Sequence, residues 1–374
     1  MGHRDPSTSK IAVPIAQTGG GTLKQLYPDF IRTFAALAVV QMHCIGNYLF
    51  YLSPDSPVDD RWMAANVYYS FLRWATPFFV MLSGSFMLSP AREEPIPVFL
   101  RKRLSRVLIP FSFWVVIYLL YGYRGEMYFQ DYPTVQMVLH RIFFEDTYYH
   151  LWFIPMIVGM YLLTPMLRQW VRVAQKQDIE YFLLVCFIAT ALQLYLPDMV
   201  FVKYLGWLGY VGFYTLGYYL TAFTLPYKRV FYTLALLSIP VSAFLTWHYS
   251  VQAQKYIQIF YIYHSPNVVF LCIALFSSLK DFDWSAFITR YPRIHWTVNR
   301  IAKLSFGIYF IHILVLDVLK NGYIFGFHLT SETFFNIPVS PWYGALLQAS
   351  VVVTVSALLI AGMDRVSWLK KWVM

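Results

Sequence analysis

The sequence predicts an all-α fold: a polytopic integral membrane protein of about ten transmembrane helices, with N- and C-termini cytoplasmic. Three observations lead there. Only 13% of the 374 residues are charged, roughly half the share carried by soluble domains. Hydrophobic residues make up 58% and aromatic residues 20%, and they gather into runs of the roughly 20 residues that cross a hydrocarbon core. The Lys and Arg residues sit in the short breaks between those runs, mostly in every second break.

Apolar runs bounded by Pro, Gly and charge clusters place the spans at 28–50, 66–88, 104–122, 151–168, 181–197, 204–223, 230–248, 257–279, 304–323 and 343–363. With the N-terminus inside, six of the 29 Lys and Arg fall in outer loops: Arg61, Arg124, Arg141, Lys203, Lys255 and Lys320. Arg32 and Arg73 lie within spans, and the remaining 21 face the cytoplasm. That asymmetry sets the orientation by the positive-inside rule. It also accounts for the net charge of +10 without nucleic acid as a partner.

Residues 1–26 are polar, include GlyGlyGly, and lack the apolar core of a signal peptide, so they read as a disordered cytoplasmic tail. Residues 27–366 form the transmembrane domain and 367–374 a cytoplasmic C-terminal tail. Cys44, Cys186 and Cys272 lie inside apolar segments without metal-ligand spacing and read as packing residues. No HisGluXaaXaaHis, no pair of His at four-residue spacing and no carboxylate cluster is present, so no metal is expected. A GlyXaaSerXaaGly elbow and a phosphate-binding glycine loop are likewise missing.

Ionisable side chains inside spans are costly in lipid, so each is a functional candidate facing the bundle interior. Arg32 and His43 are 11 positions apart on the first span, which returns to within about 20° of one helix face roughly 16 Å along the axis. Arg32 falls toward the cytoplasm and His43 in the outer part of the bilayer. That stripe suits an anionic donor at one end and a hydroxyl acceptor at the other. Imidazole is a natural base there, because its pKa near 6.5 lets it take and return a proton at neutral pH.

Asp29, three residues before Arg32, is placed to pair with it. Arg73 lies in the outer part of the second span, where a lone guanidinium needs a partner. His150 opens the fourth span among aromatic residues typical of an interfacial belt. His312 falls near mid-membrane in the ninth span, where it reads equally as an interhelical hydrogen-bonding residue. His248, His264 and His328 show no comparable pairing and read as structural. Two inner loops are strongly basic, one ending in the run ArgLysArgLeuSerArg at 101–106 and the other from Lys280 to Lys303. They read as topogenic charge and also as a docking surface for donor phosphates, which Arg binds in bidentate fashion.

Five blocks carry a resemblance. AspPheIleArgThrPheAlaAlaLeuAlaValValGlnMetHis, ThrProPhePheValMetLeuSerGly, the ArgXaaXaaArg of Arg103 and Arg106 before Pro110, HisLeuTrpPhe and SerPheGlyIleTyrPheIleHis follow in order along the chain. Together they resemble the acyltransferase-3 family of membrane O-acyltransferases, of the type that O-acetylates enterobacterial common antigen. The resemblance maps the family's arginine and histidine of the first helix onto Arg32 and His43, and puts Arg103 and Arg106 on the donor side. It implies transfer of an acyl group, acetyl first, from acetyl-CoA or another acyl-CoA to a glycan or lipid-linked saccharide in a bacterial inner membrane.

The expected catalytic set is therefore His43, Arg32, Arg73 and His150, with Arg32, Arg103, Arg106, Asp29 and His312 toward the donor. The expected partners are acyl-CoA, the acceptor and the bilayer, and a homo-oligomer is compatible with them. Direct attack by the acceptor and an acyl-histidine relay both remain open. So do a transporter or flippase that lines a path with the same charges, and a non-catalytic assembly subunit.

Overall fold

A computed structural model of the chain describes residues 26–89, 94–125, 133–145, 147–200, 204–323 and 325–374. The expected N-terminal tail, apart from Leu26, lies outside them.

The helix α1 (Tyr27–Ile45) begins with Pro28 in its first turn, where the missing N–H is no loss. A 3-10 turn, Gly46–Tyr51, extends it. About two-thirds of this span is buried, and it packs on five other helices. It is the central helix of the bundle.

The predicted second span is broken. It forms α2 (Asp60–Leu72) and α3 (Ala75–Met87), with Arg73 and Trp74 between them. Pro77 explains the break: it has no N–H to give the carbonyl of Arg73, four residues back, and its ring crowds that carbonyl. Asp59 caps α2 by accepting from the Trp62 amide at 2.9 Å. Next come α4 (Ile96–Gly122), the short α5 (Val135–Phe144), α6 (Phe153–Val173) and α7 (Lys176–Tyr195), the last opened by a capping box between Gln175 and Asp178.

Helix α8 (Leu208–Ala222) has only 15 residues, nearly all buried. A helix apolar on every side belongs in the interior, and α8 packs on α3 backbone to backbone. A Cβ on Gly84 would lie 1.8 Å from the Tyr214 carbonyl oxygen, and one on Gly217 would lie 1.8 Å from that of Met81. Reciprocal glycines let two membrane helices approach this closely.

Helix α9 (Lys228–Ala253) is the opposite case, with 17% of its span buried. Its buried residues form one small and polar stripe: Ala235, Ser238, Ser242, Thr246 and Ser250. That stripe faces α10 (Pro266–Asp281), where the Asn267 amide donates to Ser242 Oγ at 2.8 Å. The short α11 (Trp284–Arg290) leads into α12 (Pro292–Lys320). A two-residue hairpin, β1 (Thr333–Phe334) with β2 (Ile337–Pro338), precedes α13 (Pro341–Asp364). The expected C-terminal tail ends in a helical turn, α14 (Lys370–Val373), which packs on α4 with Val373 fully buried.

Seven of the described helical segments are long and apolar enough to cross a membrane. The other three predicted spans exist as helix but differ. The second is broken at Arg73, the fourth (α6) carries Arg168 and Arg172, and the sixth (α8) is a short helix of 15 residues, 11 of them buried.

Candidate active site

Two polar clusters lie along α1, one near each end of the Arg32–His43 stripe. At the first, the Arg32 guanidinium donates from Nη1 to Asp29 Oδ1 at 3.0 Å and lies 5.7 Å from the Phe86 ring centre. The Arg32 side chain is 37% exposed, and an ion pair that open contributes little stability. Its effect is to orient the guanidinium. Arg32, Arg103 and Arg106 converge electrostatically on Tyr161 of α6, which pairs with Ser83. Arg103 is half-buried over Phe99 with its Nε unpartnered, whereas Arg106 is exposed. Arg168 joins them, stacked on Phe99 at 4.8 Å and donating from Nε to the Met87 carbonyl at 2.9 Å. Three helices thus bring their guanidinium groups to one mouth of the bundle.

The second cluster is a histidine triad. His43, in the last turn of α1, lies 5.3 Å from His312 of α12, ring centre to ring centre. His312 in turn lies 5.4 Å from His150, which precedes α6. His150 and His312 are buried, while His43 is only half-buried. His312 Nδ1 is 3.0 Å from the Ile308 carbonyl oxygen. A carbonyl can only accept, so Nδ1 carries the proton and Nε2 turns an unshared pair toward the cluster. That Nε2 has no partner, nor has either ring nitrogen of His150. No grouping of His, Cys, Asp and Glu among the described residues is arranged to hold a metal ion.

Tyrosines hold the triad. Tyr309 donates to the His150 carbonyl at 2.8 Å, and Tyr118 donates to that of Phe310 at 2.6 Å. Tyr118 and Tyr309 also pack on the His150 ring at 5.1 and 5.5 Å, and Tyr149 packs on His43 at 5.4 Å.

Arg73, at the break before α3, lies within electrostatic range of His43. Its guanidinium sits 4.1 Å from the Tyr263 ring centre and 5.4 Å from that of Tyr69. Thr76 donates to the Tyr263 hydroxyl at 3.1 Å, fixing that ring. No described carboxylate pairs with Arg73, and its Nε is unpartnered. Desolvated cation–π contacts of about 2 kcal/mol offset only part of the cost of burying the charge. A guanidinium held this way remains available to an anion.

His312, which the sequence places toward the donor, stands beside His43 and His150. Asp29 is engaged by Arg32. His43, Arg73 and His150 come together, and Arg32 stands at the other end of α1. Tyr161, Tyr69 and Tyr263 escaped the sequence reading, because one tyrosine among 30 carries no signal of its own.

The family model described as "Acyltransferase domain" matches residues 25–361, a stretch that includes both clusters. The chain belongs to this acyltransferase family. It is also similar to the "Putative membrane-bound acyltransferase YfiQ" of Bacillus subtilis (strain 168), at 25% identity over 92% of this chain and 91% of that protein. No solved structure matches. Family membership and the apolar helices together make the chain a multi-pass, all-α membrane acyltransferase.

Proposed function

We propose that this acyltransferase moves an acyl group, acetyl first, from cytoplasmic acyl-CoA to a hydroxyl of an extracytoplasmic or lipid-linked glycan in a bacterial inner membrane. One observation carries the reading. A half-buried imidazole, His43, touches a buried pair of imidazoles and lies near an unpaired guanidinium, at the far end of a helix whose other end meets an arginine cluster.

The N-terminus is cytoplasmic in this reading, and the phosphates of the donor rest among Arg32, Arg103 and Arg106. The thioester then threads along α1 toward His43. His43 takes the proton of the acceptor hydroxyl as its oxygen attacks the thioester carbonyl. Arg73 stabilises the oxyanion that forms. Collapse expels the CoA thiolate, which recovers the proton from the His43 imidazolium, and the glycan leaves as an ester. His312, with its proton held on Nδ1 by Ile308, turns its unpartnered Nε2 to the cluster as an acceptor for a neighbouring imidazolium once one forms.

The test is transfer of label from [14C]acetyl-CoA to glycan in inverted vesicles. Wild-type chain labels glycan, and His43→Ala inserts normally but does not. Label that stays on CoA in the wild type points to a transporter and overturns the reading.

A further inference from the structure

Helix α1 has a second face. Gln41 is two residues from His43, so it points about 160° away around the helix. Phe34, Leu37 and Ala38 share that side, and with Phe71, Leu275 and Leu346 they line a groove of about 510 Å³ between α1, the α2–α3 break, α10 and α13. That volume is ample for a ligand. The walls are almost wholly apolar, and the rim is open at Leu37, Phe71 and Leu346, which are 36%, 45% and 50% exposed. Since α1, the segment Ile259–Asp281 that ends in α10, and α13 are all long and apolar enough to span, what meets this opening is the bilayer.

Two groups do not fit a purely apolar groove. Gln41 and Trp74 are 6% and 7% exposed, both line it, and Gln41 Nε2 and Trp74 Nε1 have no hydrogen-bond partner. A buried donor left unpaired is costly, and no water is at hand in hydrocarbon. The occupant must bring an acceptor oxygen into a chain-shaped apolar slot.

We infer that the groove binds an acyl chain of a glycerophospholipid, with an ester carbonyl accepting from Gln41 Nε2 and Trp74 Nε1. Such a chain fills the back of the helix whose front carries Arg32 and His43. An ester-linked chain satisfies both donors, whereas a polyprenyl chain offers no oxygen along its length.

Native mass spectrometry of the full chain, purified in detergent, tests this. The probe is palmitoyl-oleoyl-phosphatidylethanolamine mixed equally with its diether analogue. The wild type should retain one lipid and prefer the ester form by roughly fivefold or more, given the net worth of a hydrogen bond. Gln41→Leu should still hold lipid with that preference reduced, and Ala349→Trp, which fills the groove, should hold none. Equal retention of the two lipids, or displacement by an equal amount of polyprenyl phosphate, overturns the assignment. Should Ala349→Trp fail to fold, a phosphatidylethanolamine with a diazirine in its acyl chain serves on the wild type. Crosslinks concentrated on peptides of α1 and α13 support the site, and crosslinks spread evenly over the spans overturn it.

Discussion

His312 stands 5.3 Å from His43 while its Nδ1 is tied to the Ile308 carbonyl. The contact joins the last turn of α1 to the middle of α12. The two histidines thereby acquire different parts: one is locked by its own helix, and the other is half-open to whatever enters the bundle. His43→Ala should lower acyl transfer by about 10²- to 10⁴-fold, the usual contribution of a general base. His312→Gln should cost less and should alter the pH dependence of kcat, because it replaces the imidazole that packs against His43 and removes the free Nε2 acceptor beside it. Rate profiles of both variants check this. An unchanged profile in His312→Gln assigns that residue to packing.

Arg73 offers a sharper test of charge against shape. Its guanidinium carbon lies 4.1 Å from the Tyr263 ring centre, and an ammonium there neither stacks on the ring as a guanidinium can nor presents a fork of donors. Arg73→Lys should therefore behave nearly as badly as Arg73→Gln, each losing about 10²- to 10³-fold in kcat, as for removal of an oxyanion donor. Full rescue by lysine would mean that only a positive charge is needed there.

The arginine mouth should act on donor binding. Arg103→Ala combined with Arg106→Ala should raise KM for acyl-CoA several-fold with little change in kcat, since removing uniform binding leaves the chemical step alone. The effect should shrink in high salt for the exposed Arg106 more than for the half-buried Arg103. Single-variant titrations of acyl-CoA at two ionic strengths measure both.

Much of this architecture was legible in the chain itself, because lipid is a strict solvent. An arginine and a histidine in one apolar run announce an interior stripe, and their spacing gives its face. Tertiary contacts were not legible. Nothing in SerPheGlyIleTyrPheIleHis says that His312 meets His43 and His150, since periodicity places a residue on its own helix and is silent about the neighbour. The length rule failed for α8 for a related reason: a helix enclosed by other helices need not match the bilayer's thickness. The break at Arg73 was readable in principle from Pro77, whose missing N–H frees a carbonyl four residues back.

Gly46 packs against Tyr69, one of the rings beside Arg73. Its φ of −61° suits any L-residue, so the backbone sets no demand for glycine there. Sterics do: an added Cβ would lie 1.9 Å from the Tyr69 hydroxyl oxygen and 2.6 Å from Tyr69 Cζ. The other side of that ring's role is Arg73, 5.4 Å from its centre. Gly46→Ala should therefore push Tyr69 off its position, costing about 1–3 kcal/mol of stability as overpacking does, and lowering kcat further than the loss of folded protein explains. Tyr69→Phe in the same chain removes the nearest atom but leaves the ring carbon behind it, so rescue should be partial, and Tyr69→Leu should relieve the clash without restoring the face on which Arg73 lies. Thermal unfolding measured beside kcat separates the two effects: stability recovered with activity still low places the role of Tyr69 in positioning Arg73, and activity recovered in step with stability confines it to packing.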